Sequence, residues 1–332
     1  MYLKENTKWV IMNLYTKYRQ YAIQRGVRLM DDFKELKAYG KINLGLDVLR
    51  KRKDNYHELR MIMQTVSVCD DISVKVLPED EIRIETRLLF DERSKLEYGG
   101  IEGKDNIAYK AAKLMKDLFN IEKGFHIRID KRIPIAAGMG GGSADAAAVI
   151  KALNSLLDLR LKEDELTDLG LKLGADVPYC IVGGTVLAEG IGEKLTKLKA
   201  LPETGILLVK PELNVSTKEV YEGLKSEDLK AEERPDIDNI VKAIEEQDIR
   251  AVCKGLKNVM ETYTVKKYPV IANIKEAMMK ENARASLMSG SGPTVFGIFD
   301  KEEELMACYE KFRNGVYRNL ATQIYVSTTV NY

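Results

Sequence analysis

Pro134-Ile135-Ala136-Ala137-Gly138-Met139-Gly140-Gly141-Gly142-Ser143-Ala144-Asp145-Ala146-Ala147-Ala148 is the stretch on which the reading of this chain turns. Four glycines fall within five residues, so the backbone can take positive φ and lie against a ligand with no Cβ in between. Residues 143–157 are rich in alanine and leucine and predict a helix. Its first turn leaves backbone N–H groups unpaired, with Ser143 and Asp145 near that end. A glycine loop running into a helix N-terminus is an anion site suited to phosphates. A flexible turn before a helix is the plainer reading of the same residues. The G-x-x-x-x-G-K-[ST] fingerprint is absent, and Gly138, Gly140 and Ser143 only approach the dinucleotide pattern.

Working outward, residues 38–49 alternate as a strand. Ile42, Leu44, Leu46 and Val48 share one face; Lys41, Asn43, Gly45 and Asp47 share the other. Asp54-Asn55-Tyr56-His57 is a polar turn between strands. Residues 61–68 and 72–76 predict two strands around a turn at Asp70-Asp71. Asp105 is a plausible N-cap for a helix opening at Asn106. Phe125, Ile127 and Ile129 alternate as a strand leading into the glycine loop, with His126 on its other face as a surface or packing residue. A helix over 163–173 stops at Gly174, and on pattern alone Asp176 caps a further helix with Pro178 in its first turn. A turn and strand over 183–190 would close a first domain. Past residue 195 the composition shifts. A strand is expected at 206–209, solvated helices and loops over the charged stretch 225–250, and a glycine-serine turn at 287–294 before a strand at 295–299.

A chain of 332 residues is long enough for two domains. Lys+Arg 52 against Asp+Glu 51 leaves a net charge of +1, which offers no case for nucleic acid or an anionic membrane. No apolar run approaches the roughly 20 residues of a membrane helix. Cys69, Cys180, Cys253 and Cys308 are widely spread and lack metal spacing, so they read as free thiols of a reducing cytoplasm. With only His57 and His126, a histidine metal site or a Ser-His-Asp triad is poorly supplied. Residues 1–37 read as an extension. Ile11, Leu14, Tyr15, Tyr18 and Tyr21 recur at helical spacing, compatible with a targeting helix or with a start codon placed too early.

Three ordered motifs resemble the GHMP kinases. They are Ala38-Tyr39-Gly40-Lys41-Ile42-Asn43-Leu44, with glycine where alanine is usual before the lysine, the glycine loop over 134–144, and Ser289-Gly290-Ser291-Gly292-Pro293-Thr294. The resemblance runs from about residue 36 to the C-terminus. It implies an α+β, two-domain GHMP kinase fold: a ribosomal protein S5 domain 2-like N-terminal domain at 38–195 and a ferredoxin-like C-terminal domain at 196–332. It implies ATP held by Pro134, Ile135, Ala136, Ala137, Gly138, Met139, Gly140, Gly141, Gly142, Ser143, Ala144 and Asn106. It also implies Mg²⁺ with Ser143 as a ligand, and Ser289, Gly290, Ser291 and Gly292 supporting the loop. Lys41 and Asp176 take the catalytic positions.

Tyr56-His57 and Gly174-Ala175-Asp176-Val177-Pro178 resemble the branch whose substrate carries a cytidine diphosphate. There Tyr56 and Tyr221 would stack on either side of the base, His57 would hydrogen-bond it, and Asn43 and Thr217 would touch the substrate. Asn55 replaces a glycine and also tolerates positive φ. Alternatives are another GHMP kinase of mevalonate or homoserine type, or a non-catalytic nucleotide-binding relative. The remaining expectations are a small-molecule substrate, no nucleic-acid or membrane partner, and a monomer or weak homodimer in the cytoplasm.

Overall fold

In the computed structural model the described residues are 33–89 and 101–331. The expected extension lies outside them except at its last residues, where residues 34–37 already belong to the first strand. That strand, β1 (Lys34–Lys51), pairs antiparallel with β2 (His57–Leu77). The tight connection between them has Asn55 at φ 68, and the Tyr56 N–H donates to Asp54 Oδ1 at 3.1 Å.

No turn interrupts β2 at Asp70-Asp71. Asp70 is fully buried, and its Oδ1 accepts the backbone N–H of Arg132 and Ile133 while its Oδ2 meets Lys131 Nζ at 2.6 Å. Two adjacent aspartates signal a turn only when nothing elsewhere in the chain satisfies them. Here the partners lie in the segment that leaves β4 (Gly124–Lys131) for the glycine loop.

β2 is long enough to serve two neighbours along one edge. Asp71–Leu77 pairs with β4, and Leu59–Gln64 pairs with β5 (Thr185–Gly190), which pairs in turn with β6 (Lys194–Lys197). β3 (Ile82–Leu88) lies parallel to β4 on the outside. On the far side of β1 sits β8 (Lys257–Asn258), two residues long and parallel.

Helix α1 (Ile107–Leu118) is capped by Asn106, whose side chain accepts from Ala108 N at 2.8 Å, so the cap falls one residue after Asp105. Helix α2 (Gly141–Leu156) starts two residues before the predicted position because Gly140, at φ 70, is its N-cap. Ten of its sixteen residues are buried, so it is a core helix rather than an amphipathic one. Its alanines face Ala108, Ala111 and Ala112 of α1 within the same core. Neither Ser143 nor Asp145 caps it. Helix α3 (Glu163–Leu171) leads to α4 (Val177–Val182).

The later part of the chain builds a four-stranded antiparallel sheet in the order β11-β7-β10-β9, from β7 (Gly205–Lys210), β9 (Ala285–Met288), β10 (Val295–Phe299) and β11 (Gln323–Thr328). With α5 (Thr217–Gly223), α6 (Ile237–Glu245), α7 (Ile249–Gly255), α8 (Glu261–Lys267) and α9 (Val270–Lys280) between β7 and β9, and α10 (Glu302–Arg313) before β11, the pattern is ferredoxin-like.

The charged stretch 225–250 is not simply solvated. Ile237, Ile240, Ala243 and Ile244 of α6 are buried, and Arg234 bonds Asp47 Oδ1 at 2.6 Å. Ile42 and Leu44 of β1 enter the core under α1 and α2, whereas Leu46 and Val48 join a second core with Leu207, Val209 and Phe299. One strand therefore carries its polar residues along the seam between the two cores.

Candidate active site

A cavity of about 1260 Å³ opens along that seam. One end is built by the glycine loop. Ala136 at φ 51, Gly138 at φ 72 and Gly140 at φ 70 fold it back on itself. The first intrahelical bond of α2 runs from Ala144 N to Gly140 O at 2.9 Å. The N–H groups of Gly141, Gly142 and Ser143 are therefore left without helical partners, no side chain caps them, and all three residues line the cavity. Aligned peptide dipoles add a positive end at the same place. Pro134, Ile135, Ala137 and Asn106 line the same end.

Met139 and Ala144 are buried beneath the loop rather than in the cavity. The Met139 carbonyl accepts Lys41 N–H at 3.0 Å, where the β1–β2 register shifts between Tyr39 and Lys41. A Cβ on Gly40 would meet Met139 Cε at 3.3 Å. The methionine end thus fills the space that an alanine methyl would need.

Under the loop is a buried ionic cluster that the sequence did not announce. Lys131 Nζ lies 2.6 Å from both Asp70 Oδ2 and Asp145 Oδ2. Burial alone would lower the Lys131 pKa; the carboxylates of Asp145 and Asp70 outweigh it and hold the ammonium above its ordinary value. Burial pushes the Asp145 carboxyl well above the usual carboxylate range, with Lys131 pulling the other way. Asp145 Oδ1 is buried with no hydrogen-bond partner.

Lys41, 5% exposed, projects beside the loop and donates to Asn43 Oδ1 at 2.7 Å. Asp176 Oδ2 stands 4.0 Å from Lys41 Nζ. Asp176 precedes α4 but makes no side-chain cap, so its carboxylate is left to the cavity. Pro178 falls in the first turn, where a missing N–H costs nothing.

The supporting turn lies against the loop: Ser289 Oγ donates to Gly138 O at 2.9 Å. A Cβ on Gly138 would sit 2.0 Å from Ser289 O, and one on Gly290 3.4 Å from Lys41 Nζ. Gly290 and Ser291 reach the cavity, and Ser291 Oγ hydrogen-bonds Thr217 Oγ1 at 2.9 Å. Gly292, at φ 88, turns the chain back behind them.

The other end of the cavity is aromatic. His57 is stacked on Tyr221 with ring centroids 4.7 Å apart and an interplanar angle of 16°. Tyr56 and Tyr221, the two rings expected to flank the base, both line this end of the cavity. Alternation along β2 sends His57 inward, and Tyr56 on the turn is half exposed at the rim. Burial, then the charge of Lys51, lowers the His57 pKa. Burial, reinforced by the charge of Asp176, raises that of the Tyr221 phenol, which therefore stays protonated.

An uncapped helix N-terminus, a lysine–aspartate pair and an aromatic recess share one cleft, the arrangement a small-molecule phosphotransferase needs. Residues 106–184 match the GHMP kinases N terminal domain and residues 240–318 the GHMP kinases C terminal model. The chain belongs to the GHMP kinases, ATP-dependent small-molecule kinases.

It is 50% identical over 279 residues to the 4-diphosphocytidyl-2-C-methyl-D-erythritol kinase of Clostridioides difficile, covering 83% of this chain and 90% of that one. The enzyme of the same name from Acetivibrio thermocellus is 48% identical over 288 residues, 87% and 98% of the two chains. A crystal structure of 4-(cytidine 5'-diphospho)-2C-methyl-D-erythritol kinase superposes with TM-score 0.73 at 29% identity, covering 90% of this chain and all of that one. A homoserine kinase from Cytophaga hutchinsonii shares the fold, with TM-score 0.71 at 18% identity and 92% and 97% coverage.

Among the described residues no group of three or more His, Cys, Asp or Glu is placed to hold a metal, and no helix is long and apolar enough to cross a membrane. The four cysteines are free thiols.

Proposed function

We propose that this chain transfers the γ-phosphoryl group of ATP to the 2-hydroxyl of 4-diphosphocytidyl-2-C-methyl-D-erythritol, a step toward isoprenoid precursors by the non-mevalonate route. The observation that carries the reading is the Lys41–Asp176 pair, 4.0 Å apart, between the helix-end anion site and the His57–Tyr221 recess.

In this reading the N–H groups of Gly141, Gly142 and Ser143 hold the phosphates. The acceptor hydroxyl lies between Lys41 and Asp176. Its proton passes to the Asp176 carboxylate as the new O–P bond forms, and Lys41 stabilises charge on the transferring group. Asn43 fixes the Lys41 ammonium through the bond already made. The cytosine base stacks against the His57–Tyr221 pair, with Tyr56 closing over it from the rim and Thr217 beside it. Asn106 borders the nucleoside end of ATP.

Mg²⁺ takes phosphate oxygens and water with few protein ligands. At the helix end the Ser143 hydroxyl lines the cavity and the nearest carboxylate there, Asp145, is bound to Lys131, which fits an ion carried in by the nucleotide with Ser143 to hold it. Such an ion would supply positive charge to offset the negative charge of the phosphates. The two domains are proposed at 38–195 and 196–332, and β1 starts four residues earlier, at Lys34.

ADP release measured with the cytidine diphosphate substrate, mevalonate and homoserine in parallel tests the proposal. Turnover with the first alone is expected. Preference for either of the others overturns the substrate reading.

A further inference from the structure

Strand β8 is two residues long, pairs with β1 at Gly45 and Leu46, and is held by one further bond, Val259 N–H to Leu46 O at 3.0 Å. A strand this short contributes little to a sheet by itself. What it does is place Asn258, 2% exposed, against Gly290, which lines the cavity.

Both N–H donors of that amide and its oxygen are engaged by backbone. Nδ2 donates to Met288 O at 2.9 Å and to Gly290 O at 2.7 Å, and Oδ1 accepts Met260 N–H at 3.0 Å. The two carbonyls flank Ser289, whose hydroxyl holds Gly138. An ideal Cβ on Gly290 would lie 3.1 Å from Gly138 O and 3.4 Å from Lys41 Nζ, so the Gly290 backbone lies close against both. A single side chain anchored on the lysine-bearing strand therefore sets the turn that touches both the phosphate loop and the lysine. Only asparagine or glutamine offers two parallel donors and an acceptor on one neutral group, and glutamine is one methylene longer.

We propose that Asn258 is a positioning residue for phosphoryl transfer: its amide clamps Met288 and Gly290 so that Ser289 and Gly290 hold Gly138 and Lys41 at their working separation. The inference rests on the function proposed above. Asn258 touches neither nucleotide nor acceptor and acts through the turn.

Asn258→Asp keeps size and shape but sets an acceptor against two carbonyls; Asn258→Ala removes the clamp. Displacing reacting groups by about 1 Å costs on the order of 10²-fold. Both variants should therefore lose at least about tenfold in kcat and raise the KM for ATP. The KM for the cytidine substrate should change less than that for ATP, since the His57–Tyr221 stack does not involve the turn and only the Ser291–Thr217 bond links the two. ADP binding by calorimetry, with no acceptor present, should weaken by about tenfold.

Because removing a buried amide also lowers stability, Ile274→Ala, in the fully buried second core, serves as a control of similar melting temperature with unchanged kinetics. Asn258 variants that match Ile274→Ala in kcat, ATP KM and ADP affinity, at a temperature where both are folded, overturn the inference. Wild-type protein inactive on the cytidine substrate overturns the function reading instead, and the ADP measurement still decides the clamp.

Discussion

Gly138→Ala tests how closely the two loops must approach. The new Cβ would lie 2.0 Å from the Ser289 carbonyl oxygen, against a closest real separation of 3.0 Å. The loops must therefore part by at least 1.0 Å (3.0 − 2.0). That displacement stretches the 2.9 Å Ser289–Gly138 hydrogen bond beyond bonding range. It also moves the loop whose Met139 carbonyl ties Lys41 in place.

Two penalties result. The left-handed backbone at φ 72 costs an alanine about 1–2 kcal/mol. Misplacing reacting groups by about 1 Å costs on the order of 10²-fold in rate. Gly184→Ala separates them, since Gly184 has φ 77 but nothing within 4 Å of its Cβ position. It should lose about 1–2 kcal/mol of stability and no turnover. Steady-state ADP release with varied ATP reads both variants, and Gly138→Ala should fall about 10²-fold in kcat/KM. A Gly138→Ala enzyme within about threefold of Gly184→Ala would refute the reasoning.

Lys131→Met leaves Asp70 and Asp145 buried without their cation, which costs about 3–5 kcal/mol. A Tm drop on the order of 10 °C by calorimetry is expected, partly recovered by adding Asp145→Asn. His57, its pKa lowered by burial and then by Lys51, is neutral at pH 7. The fold favours its neutral form, so this contribution is complete above about 6.5 and is lost as pH falls through the lowered folded value. The KM for the cytidine substrate should be flat from about pH 8 to 6.5 and rise below that. A rise already above pH 7 contradicts the assignment.

The glycine loop was legible because its chemistry is local: positive φ, no Cβ and a helix start follow one another in the chain. Lys41 and Asp176 were legible only through resemblance. Alternation sees a half-exposed strand at Lys41, and capping rules see a helix start at Asp176. That Asp176 leaves its helix uncapped is a fact of the cavity, not of its neighbours. Asp70 was misread for the converse reason, because its partners at Lys131, Arg132 and Ile133 are remote in sequence. The His57–Tyr221 stack was not legible, because it joins the first residue of β2 to a helix more than 160 residues on. Asn258 carried no signal at all. It lies in no motif and no periodic run, and its importance depends on the register of β8 against β1.

Single-turnover phosphoryl transfer by Asp176→Asn tests the central claim most directly. The asparagine keeps the shape but cannot take the acceptor proton. A rate lower by at least about 10²-fold with ATP affinity nearly unchanged is the predicted result. Transfer at the wild-type rate would contradict it, leaving the Lys41–Asp176 approach as a structural ion pair.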